Sequence, residues 1–314
     1  MQDNFITLIK KHRNDNDLSQ NDLVDILTLN DDFLSKLDVV TLSRWENEKT
    51  APSLEKKVRI MRKLNLLVPY IYSISSISIN ENMIEKSLKV RFGIEINRYK
   101  KINNFKSSNN ISFKLSKNRH NLNDNISECL GIQKNEHFKL NDKWPITVGC
   151  WCLDDIIEAF FIHLYTNDKI FNYGHSDNLS DLYIKNVNGK INSIAVLEHV
   201  TSTKDYYKLS TLCLFDTLIK NNDLKYVFFY VRTDFFLKLI VSGGGEKIAT
   251  VAEPDSILNE YSDLNFLHII KIDTITLLSN KNFLNFCLKS YHSLKRNNPT
   301  LLKKIYETSI HTEI

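Results

Sequence analysis

The sequence predicts a multidomain chain, an all-α N-terminal unit followed by an α/β unit, and three observations carry that prediction. Apolar residues recur at helical spacing through the first 68 positions, with capping side chains ahead of the runs. From Trp144 onward, short β-branched and aromatic runs alternate with helical patterns, as in a sheet covered by helices. Between them, residues 69–143 carry 13 Lys and Arg against 7 Asp and Glu, whereas residues 1–68 balance at 11 against 11 and the remainder holds 17 against 19. The expected organisation is therefore a helical domain over 1–68, a basic connector over 69–143, and an α/β domain over 144–314.

Composition bounds the rest. With 314 residues, 42% of them hydrophobic, the chain can bury a sizeable core and is not a disordered polymer. Cys129, Cys150, Cys152, Cys213 and Cys287 are odd in number and lack metal-ligand spacing. Met1-Gln2-Asp3-Asn4 has neither a basic nor an apolar leader region. Reduced thiols in the cytoplasm are the expectation. The longest apolar run, Val227 to Val241, is interrupted by Arg232, Asp234 and Lys238, too short for the roughly 20 apolar residues of a membrane span.

Taken in order, Phe5, Leu8 and Ile9 share one face of a first helix that ends in Lys10-Lys11-His12-Arg13, where positive charge suits the helix dipole. A polar turn, Asn14 to Asp17, precedes a second helix capped by Ser19, with Leu23, Ile26 and Leu27 as its apolar edge. After Thr28 to Leu37, Asp38 offers a cap for a third helix through Trp45. Leu54, Val58, Met61 and Leu64 define a fourth.

Three short motifs give this region a family likeness. Ser19-Gln20 opens the second helix, Thr41-Leu42-Ser43-Arg44-Trp45-Glu46 forms the third, and Pro52-Ser53 opens the fourth. Residues 4–67 resemble the DNA-binding domain of the lambda-repressor-like, XRE family, an all-α helix-turn-helix fold. The resemblance implies that the third helix lies in the major groove of a double-stranded DNA operator. Val39, Val40, Ser43 and Arg44 would then meet bases, and Gln20, Asn47 and Lys49 would meet phosphates. It also makes Leu42 and Trp45 core residues. For Arg44 the plainer alternative is a solvated or ion-paired arginine. Two departures stand out: about eight extra residues lie between the second and third helices, and Glu48 stands where the family usually has Gly.

The connector begins with Ser73-Ile74-Ser75-Ser76-Ile77-Ser78-Ile79, a strand or an ordered arm by its alternation. It continues through Tyr99, Lys100, Lys101, Phe105, Lys106, Phe113, Lys114, Lys117 and Arg119, a segment suited to DNA backbone or to solvent alike. In the α/β half the sequence predicts a helix from Asp154 to Tyr165 and a hairpin about Asn188-Gly189, with strands 181–187 and 190–199. A helix follows over 206–220, then a buried strand over 225–231 and a short helix over 234–241 stopped by Gly243-Gly244-Gly245. Strands over 247–252 and 266–272 precede closing helices at about 274–290 and 299–309.

That order of elements, together with Thr233-Asp234 and Val251-Ala252-Glu253-Pro254, resembles the acetyltransferase (GNAT) fold in its acyl-homoserine-lactone synthase branch. On that resemblance Glu198 of Leu197-Glu198-His199-Val200-Thr201 stands at the catalytic acid, but Thr201 replaces the branch's arginine. Thr201 to Tyr206 lacks the glycines of an acyl-CoA pyrophosphate loop. Glu198 or His199 would be the general base only if the domain is an enzyme. Cys150, Cys152 and His163 fall short of four zinc ligands, so no metal is expected. Phe228, Phe229, Tyr230, Phe235 and Phe236 are core, or the wall of an acyl-chain pocket.

The function expected from the sequence is a cytoplasmic, sequence-specific transcription regulator, a repressor of the phage or mobile-element type. Its GNAT-like domain would form a homodimer or sense a small-molecule ligand or small regulatory protein. No cofactor is expected, acyl-CoA or a small acyl ligand being the exception. The alternatives are an active acyl-CoA-dependent acyltransferase that carries a helix-turn-helix module, and an antitoxin or anti-repressor target.

Overall fold

The computed structural model describes residues 3–75, 77–79, 82–93, 111–116, 146–153, 156–166, 191–201, 203–231, 234–252 and 266–310. N-terminal helices are followed by a mixed sheet with helices. They begin with α1 (Phe5–Asp15), α2 (Gln20–Thr28), α3 (Val39–Glu46), α4 (Leu54–Lys63), α5 (Leu67–Ser73) and α6 (Met83–Gly93). Ser19 and Asp22 form a reciprocal capping box on α2, Asp38 accepts from the Thr41 N–H at 2.6 Å to start α3, and Ser53 starts α4. The carboxyls of Asp22 and Asp38 titrate below their usual range, chiefly because the Ser19 and Thr41 side chains, respectively, hydrogen-bond to them.

The ten residues between α2 and α3 form ordered turns. Leu34 is buried, Asp31 accepts from the N–H groups of Phe33 and Leu34, and Arg59 lies over the Phe33 ring at 4.5 Å and 3.7 Å from Asp31. At the far end of α3, Glu48 adopts φ 57°, and the Lys49 N–H bonds back to the Arg44 carbonyl at 2.9 Å. The helix closes through the left-handed conformation that glycine would adopt at no cost, here imposed on a glutamate.

The sheet comprises β1 (Ile111–Ser116), β2 (Ile146–Leu153), β3 (Ile156–Thr166), β4 (Ser193–Thr201), β5 (Tyr226–Val231), β6 (Glu246–Ala252) and β7 (Phe266–Asp273), in the order β1-β2-β3-β4-β5-β7-β6. Among the described residues every pair is antiparallel except β4·β5. Helices α7 (Lys204–Lys220), α8 (Asp234–Ser242), α9 (Thr274–Ser279), α10 (Lys281–Asn297) and α11 (Pro299–Ile310) complete the chain.

Three expectations are corrected. Residues 156–166 form a strand, where the sequence predicts a helix from Asp154. Ala159, Phe160, Phe161, Leu164 and Tyr165 are buried on both faces of the sheet, and a doubly covered strand gives a continuous apolar run that periodicity cannot tell from a helix. The predicted helix at 274–290 is broken at Asn280, which closes α9 and accepts from the N–H groups of Asn282 and Phe283 to open α10. The 73–79 segment is not a strand: α5 ends at Ser73, and Ile74 and Ile77 are buried beyond it. Strand 181–187, the Asn188-Gly189 turn and most of the basic connector lie outside the described residues.

One apolar core runs through both halves, from Phe5, Leu42 and Trp45 through Met61 and Tyr70 to Leu218, Leu278 and Leu284. Polar contacts clamp the same junction. Arg62 of α4 donates to the carbonyls of Asn221 (3.0 Å), Asn222 (3.0 Å) and Leu224, at the turn between α7 and β5. Burial lowers its guanidinium pKa to about 10. Asn222 donates to Asn65 at 2.6 Å, and Tyr72 donates to the fully buried Asp216, which also pairs with Lys220 at 2.6 Å.

Candidate nucleic-acid interface and the β4–β5 notch

Helix α3 is fixed from behind. Leu42 and Trp45 are buried, and Glu46, 4% exposed, anchors three segments. Arg13 of α1 donates to it through Nε at 3.0 Å and Nη2 at 3.4 Å, Gln20 of α2 donates through Nε2 at 2.6 Å, and Arg13 Nη1 reaches the Leu18 carbonyl at 3.1 Å. A buried carboxylate satisfied by a guanidinium and an amide fixes the angle between these helices as packing alone would not. Sequence reasoning missed this network, although Arg13 and Glu46 were both visible; nothing in their 33-residue separation signals a pair.

The outer face carries the residues expected to read DNA. Val40, Ser43, Arg44 and Asn47 fall along one stripe at helical spacing. Val40 is 58% exposed, and Arg44 is exposed, its guanidinium making no hydrogen bond or ion pair among the described residues. Asn47 donates to the Ser43 carbonyl at 2.9 Å, closing the helix, and Lys49 is exposed just beyond it. Val39 is half-buried against the core. The Gln20 side-chain amide is turned toward Glu46, although its backbone N–H remains in the first turn of α2.

A second feature lies in the sheet. The parallel β4·β5 ladder pairs only Ser193 to Val196 with Tyr226 to Phe229, although β4 continues to Thr201. Leu197 is bulged out of register against β3, since Ile162 pairs with Glu198 and His163 with Val196. Beyond Val196 the two strands are unpaired and a notch opens between them. Glu198 lies on the notch segment by its backbone; its side chain is outside the described residues. Thr201, fully buried, ends the strand with a hydroxyl that has no hydrogen-bond partner among the described residues.

Aromatic contacts line this region. His199 stacks on Tyr207 of α7 at 4.8 Å and 11°, and Tyr207 stacks in turn on Phe236 of α8 at 6.0 Å. His163, buried and 4.5 Å from the Phe161 ring, has its pKa pushed down to about 3, mainly by burial and then by His199. At the start of α7, the Thr203 hydroxyl accepts from the Tyr206 N–H and Asp205 places a carboxylate in the first turn. Buried Cys150, Cys152, Cys213 and Cys287 are in no disulfide, and no metal-binding group of His, Cys, Asp and Glu occurs among the described residues. None of the helices is long and apolar enough to cross a membrane, among the described residues.

No protein-family model matches the chain, and no curated protein matches it. Among solved structures, a probable acetyltransferase from Staphylococcus epidermidis ATCC 12228 overlaps 52% of this chain and 99% of its own, at 11% identity and a TM-score of 0.32.

Proposed function

We propose that the chain is a sequence-specific DNA-binding transcription regulator whose helix α3 enters the major groove. The observation that supports it is the stripe of exposed Val40, Arg44 and Asn47 with half-buried Ser43, on a helix whose opposite face, Leu42 and Trp45, is buried. Arg44 is the base reader: a bidentate contact with guanine discriminates by about 1–3 kcal/mol, while Val40 meets a thymine methyl. Lys49 contacts phosphate by charge. Gln20, with its side chain committed to Glu46, contributes its backbone N–H at the start of α2. The partner is a pseudo-palindromic operator read by a homodimer, with half-sites about one helical turn apart, in a repressor of the phage or mobile-element type. The α/β half, GNAT-like in its order of elements and in its parallel β4·β5 pair, holds the dimer or senses a ligand or protein.

The test is an electrophoretic shift series on the chain's own upstream DNA. A sequence-specific complex that Arg44→Ala removes, at unchanged melting temperature, is expected. No specific complex with the native chain, or one that Arg44→Ala leaves intact, overturns the proposal.

Acyl transfer at the notch has one observation in its favour, the buried and unpartnered Thr201 hydroxyl. The residues there do not fit the pyrophosphate of an acyl-CoA. The turn from β4 to α7 contains no glycine, Thr203 already occupies a first-turn N–H, and Asp205 would repel the anion. Coenzyme A carried through purification, seen by mass spectrometry, would reverse this preference.

A further inference from the structure

Seven large apolar side chains are well exposed among the described residues, and six of them lie in two places. Ile26, Leu29, Phe33 and Val40 fall between α2 and the start of α3, while Met83 and Val90 lie on α6. Each place also has a prevailing charge: aspartates about the first, where Arg59 lies over Phe33 and pairs with Asp31, and lysines about the second, where Glu85 lies near Lys289. On α2, Asp22, Asp25, Ile26 and Leu29 share one outward stripe, continued by Asp32 and Phe33; residues 19–40 hold five aspartates and one lysine. On α6, Met83, Lys86 and Val90 share an outward stripe flanked by Lys89. Ile84 and Leu88 are buried on its other side.

Both stripes are held firmly on the body of the protein. On α2, Leu23, Val24 and Leu27 are core, and Lys63 donates to the carbonyls of Leu27 and Leu29. Asn82, just before α6, donates to the Asn282 carbonyl at 2.9 Å, the Met83 N–H reaches Asn282 Oδ1 at 3.1 Å, and Lys289 lies 3.8 Å from Glu85. The stripes are exposed in the same chain, so they do not cover each other within it. An acidic apolar stripe and a basic apolar stripe of matching length are complementary between copies.

We propose that this protein self-associates by seating the α6 stripe of one copy on the α2 stripe of another, with Met83 and Val90 against Ile26, Leu29 and Phe33, and Lys89 toward Asp25. About a twofold axis the contact is made twice and closes a dimer; without one it propagates as a chain. The inference gives the homodimer of the preceding proposal its surface, but it is read without DNA, so its failure and the failure of operator recognition are distinguishable.

The experiment is sedimentation velocity of the full chain over a concentration series at low and high salt, with circular dichroism melts of every variant. The native chain should associate in a concentration-dependent and salt-weakened way. Asp25→Lys or Lys89→Glu alone should weaken association at least about ten-fold, and Leu29→Ser comparably. The charge-swapped double variant Asp25→Lys/Lys89→Glu should recover to within about three-fold of the native chain, an outcome that general damage to folding does not produce. A native chain monomeric at about 100 μM, weaker than most specific interfaces, overturns the inference. So does association that the folded single variants leave unchanged, or a swapped chain that fails to recover.

Discussion

Helices α3 and α7 make opposite use of the same start. Each begins with a side-chain cap, Asp38 on the Thr41 N–H and Thr203 on the Tyr206 N–H. On α3 one face is buried and the other is turned to solvent. On α7 every side chain from Leu209 to Ile219 is buried, because the sheet lies on one side and α5, α6, α10 and α11 lie on the other. A half-buried helix can change its outer residues freely and so can serve recognition, whereas α7 is the shared wall of both halves. The N-terminal helices are therefore joined to the sheet through one apolar core, where the sequence alone predicts a helical domain and an α/β domain on either side of a connector.

The largest test of that contrast is cooperativity. Trp45→Ala on the α3 side should cost about 3–5 kcal/mol and Leu218→Ala on α7 about 2–5 kcal/mol. Both should lower one common denaturant transition followed by fluorescence and by circular dichroism; two separable transitions would break the comparison. Arg62→Ala should cost about 3 kcal/mol, because it strips a charged donor from three carbonyls at the end of α7, and Arg62→Lys should not recover it, lacking the planar fork.

A third test concerns His163, on the sheet side of α7. Its folded pKa of about 3 lies below the ordinary 6.5, so the unfolded chain takes up the proton first. Its contribution is intact above pH 6.5 and is lost as the pH falls toward 3, amounting to about 2 kcal/mol by pH 5. Chemical denaturation between pH 7 and pH 5 should show this slope, and His163→Gln should flatten it. The smallest effect belongs to α3: Glu48→Gly should stabilise the chain by about 1 kcal/mol, measured by urea midpoint, since it relieves a left-handed glutamate.

The same contrast explains what the sequence revealed. The caps at Ser19 and Asp38 were legible because local chemistry sets them, whereas the opening at Ser53 and the buried positions Leu42 and Trp45 came from the family resemblance. Also legible were the 225–231 strand and the stop after α8, where Gly244 takes φ 100°. The strand at 156–166 was not, since burial on both faces erases the alternation that separates strand from helix. Arg62 reads as one more basic residue of an amphipathic helix; only its burial against a turn some 160 residues away reveals a clamp. Of the candidate site, the stripe Val40 to Asn47 was visible, but the engagement of Gln20 by Glu46 was not, because a side-chain amide shows no preference in sequence between phosphate and carboxylate.

The Arg62 clamp also bears on how the chain is made. Ribosomes add about 5–20 residues per second, so the turn at 221–224 and the Leu284 core position appear tens of seconds after α4 and α5 leave the exit tunnel. Until then α5, whose Leu67 and Ile71 are buried in the finished protein, lacks the α7 wall that it packs against. A nascent chain of this kind carries an unpacked apolar helix face for most of its synthesis and covers it only when the last third arrives.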